Sequence, residues 1–368
     1  MIMTIVTHRL PRLARPALLF AGALLLAGCE APPPAVDQTG YRGTGMEQVY
    51  NPPREAALRE ANKAPEPQPP VEPEGPPVSQ LTDTYKNIQV LGDLREGQFL
   101  RLMTAMSEWV APQEGDNAGC AYCHNLENMA DGSKYQYTVA RRMLQMTKTI
   151  NNKWASHVGQ TGVTCYTCHR GQPVPQYSWV TQPAPTGAMY AGWRPEGQNH
   201  ANPASGYSSL PADPFTTLLR EPDTIRVIGK GIHRPEEEGR SIRATERTYG
   251  LMMHMSTALG VNCTFCHNSR GFSSWETSTP QRVTSWHGLR MVPDINATYV
   301  EPLGVLYPRE RRGVNNDAAK VYCTTCHQGV NKPLYGAQML KDYLVELNAA
   351  NPAWQPTLPP MPQAALTK

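Results

Sequence analysis

The chain has no cysteines to spare for a disulfide framework. Of its nine, eight fall in four copies of one short pattern and only Cys29 stands apart, which excludes the stapled architecture of a small secreted domain. Aromatic residues make up only 8% and hydrophobic residues a modest 40%, while prolines number 35. A core of side chains alone would be thin, and much of the backbone must be irregular. Net charge is nearly absent as well. Without Arg9, Arg12 and Arg15 of the basic start, 31 basic residues face 31 acidic ones, so there is no cationic excess to hold nucleic acid. Nor does any apolar run span a bilayer comfortably, the stretch Ala17 to Gly28 being too short.

What the chain does have is Cys120-Ala-Tyr-Cys123-His124, Cys165-Tyr-Thr-Cys168-His169, Cys263-Thr-Phe-Cys266-His267 and Cys323-Thr-Thr-Cys326-His327. Each reads as a c-type haem attachment site. Two cysteines three positions apart can reach the two vinyl groups of one porphyrin, and the histidine that follows is placed to ligate the iron. Zinc competes for the same ligand types, but zinc half-sites pair at short range, whereas these four are unevenly spaced and each ends in its own histidine. Four covalent haems would supply the missing apolar core. Their eight propionates would turn a near-neutral polypeptide acidic and favour a basic protein partner.

Residues 1–28 read as a targeting leader: basic start, short apolar stretch, no acidic residue before Glu30. Leu26-Ala27-Gly28-Cys29 is similar to a bacterial lipoprotein cleavage box, in which Cys29 takes the lipid. The alternative is an uncleaved N-terminal helix as anchor. Either way the globular part faces the periplasm. Residues 29–80 are a proline-rich arm, extended or ordered by lying on a surface. The expected organisation continues with a first haem pair over 81–176, a connector over 177–230, a second pair over 231–343 and a C-terminal tail over 344–368, proline-rich and expected to run over the surface from Ala349 onward.

A helix is expected from Leu94 to Val110, capped by Asp93 and stopped by Pro112, with Phe99, Met103, Met106 and Val110 on one stripe. Val139, Met143, Met146 and Ile150 repeat the stripe, and Thr248, Met252, Met255 and Leu259 repeat it again before Gly260. Before the last motif the pattern fails: Met291 is followed by Asp294 where a methionine is expected, and Pro293 interrupts the turn. Units one and three continue as Cys-His-Asn, units two and four as Thr-Cys-His-x-Gly. The fold expected is mainly α with much irregular loop, a multihaem cytochrome c of two pseudo-symmetric haem-pair halves.

Each motif histidine fills one axial position, and the other decides between electron transfer and open-site catalysis. The stripes offer Met103, Met143 and Met252, though spacing does not choose between the members of each Met-x-x-Met pair, and packing is the ordinary role of such methionines. For the fourth iron, Met291 and the histidines His157, His200, His233, His254 and His287 are all open.

Arg101-Leu-Met-Thr-Ala-Met-Ser-Glu-Trp-Val110, Val139-Ala-Arg-Arg-Met-Leu-Gln-Met-Thr-Lys148, Gln160-Thr-Gly-Val-Thr-Cys-Tyr-Thr-Cys-His-Arg-Gly171 and Asn262-Cys-Thr-Phe-Cys-His-Asn268 carry a family likeness. So do Ser278-Thr-Pro-Gln-Arg282 and Cys326-His-Gln-Gly-Val-Asn-Lys-Pro333. From roughly Leu81 to Tyr343 the chain resembles the tetrahaem cytochrome c subunit of the purple bacterial photosynthetic reaction centre. The resemblance implies Met103, Met143 and Met252 as sixth ligands of haems one to three, and His157 as the ligand that reaches across to haem four. It also implies a graded wire, with haem three nearest the special pair of the L and M subunits and haem one where a soluble cytochrome c or high-potential iron-sulfur protein docks. No bond-making catalysis follows, and no nucleic acid is expected as a partner. Glu108, Glu114, Asp116, Glu127 and Asp131 around the first motif are either an acidic docking patch or an ordinary solvated face. The rival readings are a multihaem reductase with one open iron and a periplasmic electron shuttle unrelated to photosynthesis.

Overall fold

The computed structural model describes residues 35–39, 46–182, 210–211, 213–221, 225, 227, 242–349 and 355–358. The leader, Cys29, His200 and His233 lie outside them, as does most of the connector. Within them the chain is mainly helical with irregular connections.

Strand β1 (Ala35–Thr39) pairs antiparallel with β2 (Met46–Tyr50), Ala35 opposite Tyr50. Helix α1 (Pro52–Ala61) follows, with the Asn51 side chain accepting from the Arg54 N–H at 3.3 Å and two prolines in the first turn, where no N–H is needed. In chain order come α2 (Glu96–Val110), α3 (Tyr135–Lys153), the short α4 (Ala155–Val158), α5 (Cys165–His169), α6 (Ile242–Leu259), α7 (Pro280–Ile295), α8 (Cys323–His327) and α9 (Leu344–Leu347).

Three local expectations are corrected. Helix α2 begins at Glu96, two residues late, because the Gln98 side-chain oxygen accepts the Arg95 N–H at 3.1 Å and makes Arg95, not Asp93, the capping position. Pro293 does not break α7, which runs on to Ile295 and opens into a wider π turn over Asn296–Val300. A proline so close to the C-terminus costs one backbone hydrogen bond, and its fixed φ suits the helix. The arm is not wholly extended, since the β1–β2 pair is followed in it by α1, which buries no residue of its own.

Three apolar clusters hold the fold. The first joins Leu102, Ala105, Met106 and Trp109 of α2 to Leu144 of α3, Cys165, and Leu334, Leu340, Tyr343 and Leu347 near the C-terminus. The second joins Met146 and Ile150 of α3 to Met291 and Ile295 of α7. Thus Met291, a candidate ligand on sequence, is core packing. The third packs Trp179, Phe215, Leu218 and Leu219 of the connector against Leu251 of α6 and Val292 of α7. Where the arm leaves α1 it lies along this body: the Arg101 Nε donates to the Pro69 carbonyl at 2.8 Å, and the Gln68 N–H donates to the Tyr343 hydroxyl at 3.0 Å. Among the described residues no helix is long and apolar enough to cross a membrane.

Candidate haem-binding sites

The four motifs adopt two local conformations that alternate along the chain. Motifs one and three are 3-10 turns, Gly119–Tyr122 and Cys263–Phe265. Motifs two and four are the single-turn helices α5 and α8, in which the N–H before the first cysteine donates to a threonine hydroxyl: Thr164 to Thr167 at 3.0 Å and Tyr322 to Thr325 at 3.1 Å. Each of these two turns ends in a left-handed residue, Arg170 at φ 52° and Gln328 at φ 46°. The glycine that follows then donates its N–H to the helix of another unit, Gly171 to Trp109 of α2 at 3.0 Å and Gly329 to Ala258 of α6 at 2.8 Å.

The histidines are held by a common device. Nδ1 of His124 lies 2.8 Å from the Met129 carbonyl and Nδ1 of His267 lies 2.8 Å from that of Phe272, five residues on in both cases. Nδ1 of His169 lies 2.9 Å from the Gln172 carbonyl and Nδ1 of His327 lies 3.1 Å from that of Val330, three residues on in both. A carbonyl can only accept, so Nδ1 carries the proton and Nε2 keeps the lone pair a metal needs. Burial pushes the imidazoles of His169 and His267 below their ordinary range, and that of His327 down to about 4, so they stand neutral at physiological pH.

His157 obeys the same rule: its Nδ1 is 2.9 Å from the Thr284 carbonyl of α7, and burial lowers its pKa. Its ring lies edge-on to that of His327, with centroids 6.1 Å apart. Two imidazoles bound to opposite sides of one metal at roughly 2 Å each have centroids about 6 Å apart. The space for His157 is made by Gly288, where a Cβ would stand 2.6 Å from the ring Cε1. His254, by contrast, is stacked on Tyr322 at 4.6 Å, and His287 is edge-on to Trp286 at 4.9 Å.

The methionines divide by exposure. In α2 Met106 is buried among core residues while Met103 is half-buried, and in α3 Met146 is buried while Met143 is half-buried. In α6 both Met252 and Met255 are half-buried. Of the motif cysteines, Cys120 and Cys263 are exposed, Cys165 is buried and the others lie between. Among the described residues no three histidine, cysteine or acidic side chains converge as a metal-ion cage, and burial pushes the thiols of Cys165 and Cys323 up to about 12. A zinc site needs converging, readily deprotonated thiolates. The donor set fits a haem: the two cysteines of each motif would hold the ring, and the histidine, with its Nε2 free, would be available to the iron.

The motif histidines are legible in the sequence, but what orients them is not. The carbonyl partners are backbone atoms, visible only as the three- or five-residue offset from each histidine. Gly288 carried no signal at all.

The comparisons with known proteins agree with this chemistry. The family described as "Photosynthetic reaction centre cytochrome C subunit" matches residues 30–347. The photosynthetic reaction center cytochrome c subunit of Rubrivivax gelatinosus is 47% identical over 355 residues, covering 96% of this chain and 91% of that protein. The subunit of the same name from Thermochromatium tepidum is 46% identical over 332 residues, covering 90% and 80%. That from Roseobacter denitrificans is 41% identical over 325 residues, covering 83% and 84%. The chain belongs to the photosynthetic reaction centre cytochrome c subunits, which carry covalent c-type haem and transfer electrons rather than catalyse a reaction of their own.

Proposed function

We propose that the chain holds four covalent haems as a one-electron wire that re-reduces the photo-oxidised special pair. When bound, each haem supplies an iron that cycles between ferric and ferrous, and everything else is done by the polypeptide. Cys120 and Cys123, Cys165 and Cys168, Cys263 and Cys266, and Cys323 and Cys326 fix the four rings. His124, His169, His267 and His327 give the fifth ligands. Met103, Met143 and Met252 close the first three sites, and His157 closes the fourth. The half-buried state of Met103 and Met143 beside buried Met106 and Met146 supports the choice within those pairs. The observation that carries the reading is the confrontation of His157 with His327 at 6.1 Å. It supports a bis-histidine site where the methionine stripe fails.

The two halves, 81–176 and 231–343, would be related by a local two-fold. Recurrence of the same histidine–carbonyl offsets, the same threonine caps and the same glycine contact supports this. The contact at its centre is between Cys168 and Cys326, whose sulfurs are 2.9 Å apart. With unit two against α2 and unit four against α6, the sites would run one, two, four, three along the molecule. Site three would then face the special pair of the L and M subunits, and site one would face a soluble cytochrome c or high-potential iron-sulfur protein. Lipidated Cys29 would tie the subunit to the periplasmic face of the membrane, with 29–80 as an arm, 177–230 as a connector and 344–368 as the tail.

Quantifying covalent haem per purified chain, together with its paramagnetic resonance spectrum, tests the assignment. Four haems, all six-coordinate and low-spin, are expected. Fewer than four, or a high-spin iron in the intact protein, would contradict it.

A further inference from the structure

The two central motifs share their turn geometry, threonine cap and left-handed end, but differ in charge at one position. After His169 stands Arg170, and after His327 stands Gln328, both left-handed. Their side chains even make the same first contact: the Arg170 Nε donates to the Thr167 carbonyl at 3.1 Å, and the Gln328 Nε2 donates to the Thr325 carbonyl at 3.4 Å. Arg170 then reaches across the junction. Its Nη2 donates to the Cys326 carbonyl of motif four at 3.3 Å and to the Asn62 side-chain oxygen at 3.1 Å. Asn62, 2% exposed, is itself pinned through its Nδ2 to the Leu58 carbonyl at 3.0 Å and to the Gln328 carbonyl at 3.4 Å. The arm therefore closes over the junction and fixes the guanidinium there.

That guanidinium is permanently charged, and its Nη1 is buried without a hydrogen-bond partner among the described residues. All three of its hydrogen bonds go to neutral oxygens. No acidic side chain among the described residues hydrogen-bonds to this cation, and the burial of Nη1 limits screening by solvent.

We propose that Arg170, positioned by Asn62, is the electrostatic element that raises the reduction potentials of the haems on motifs two and four. This rests on the assignment of those motifs as haem sites. Reduction removes one positive charge from an iron centre, so a fixed cation nearby favours the reduced form. Motifs one and three carry Asn125 and Asn268 at the matching position, and their haems are the internal controls. Arg170 would act through its field and is a positioning and field-setting residue, not a ligand.

The test is a spectroelectrochemical titration of all four haems in the intact, haem-loaded chain carrying Arg170→Gln, Arg170→Lys or Gln328→Arg. Glutamine already occupies the equivalent backbone conformation at Gln328, so Arg170→Gln is sterically matched. It is expected to lower haems two and four by about tenfold in their one-electron equilibrium with haem three, about 59 mV. Arg170→Lys retains most of the original potentials, and Gln328→Arg moves both haems the opposite way. Unchanged potentials in Arg170→Gln with four low-spin haems present would overturn the proposal, as would an equal shift in all four. If Arg170→Gln fails to load haem, the sign of the Gln328→Arg shift decides alone. A wild-type protein without haem on motifs two and four would instead defeat the underlying assignment.

Discussion

Among the described residues, five imidazoles point their Nδ1 atoms at backbone carbonyls, between 2.8 and 3.1 Å. That arrangement fixes ring orientation and tautomer before any metal arrives, which removes part of the ordering cost of ligation. The two rings set against each other, His157 and His327, depend on a third residue that contributes no atom to them. A Cβ at residue 288 would stand 2.9 Å from the His157 Nδ1 as well as 2.6 Å from Cε1, so Gly288→Ala is expected to push the ring out of line. The optical and paramagnetic resonance spectra should show one low-spin bis-histidine signal lost or converted to high spin, with the other three intact. His157→Leu should give the same signature more completely. A Gly288→Ala spectrum identical to wild type would mean that the ring has freedom the packing denies it. The motif residues and the methionine stripes were legible in the sequence because each is a chemical type at a fixed spacing. His157 was one of five open histidines until a resemblance singled it out, because its partner lies 170 residues away in the chain.

At the scale of elements, the close approaches are between units rather than within them. Helix α6 ends at Gly260 with φ 65°, and a Cβ there would stand 2.1 Å from the Gly329 carbonyl oxygen. Gly260→Ala combines a left-handed alanine with that clash and should cost more than about 1 kcal/mol in chemical denaturation. A change within a few tenths of wild type would show that α6 and α8 can separate without penalty. The stripes marked where α2, α3 and α6 lie, since helical packing is periodic in sequence. Proline was misleading in both directions. Pro52 and Pro53 begin a helix in a segment read as extended, and Pro293 sits inside one read as broken. In each case the position of the proline relative to the helix end decided the outcome. Nor did the sequence signal that Leu340, Tyr343 and Leu347 return to pack on α2 and α3, because such closure depends on long-range topology.

For the whole molecule, burial and charge decide what can approach. Of the five acidic residues around the first motif, Glu108 accepts a hydrogen bond from Gln68 at 2.7 Å, and Asp131 is tied to Ser133 at 2.9 Å. Hydrogen bonds from Ser133 and Asn125 hold the Asp131 carboxyl below its ordinary range. Glu114, Asp116 and Glu127 remain exposed and outward. If they steer a basic donor, neutralising the three should slow association severalfold at low salt and flatten its dependence on ionic strength. Stopped-flow rates unchanged at low salt would reduce them to a solvated face.

In the proposed function, electrons pass through this chain to the photo-oxidised pair. Flash excitation of native membranes, monitored at the haem α-bands and at the special-pair absorbance, tests it most directly. Haem oxidation is expected to appear as the oxidised pair disappears, with matching kinetics. Re-reduction of the pair with no haem oxidation, in membranes that contain the loaded subunit, would contradict it.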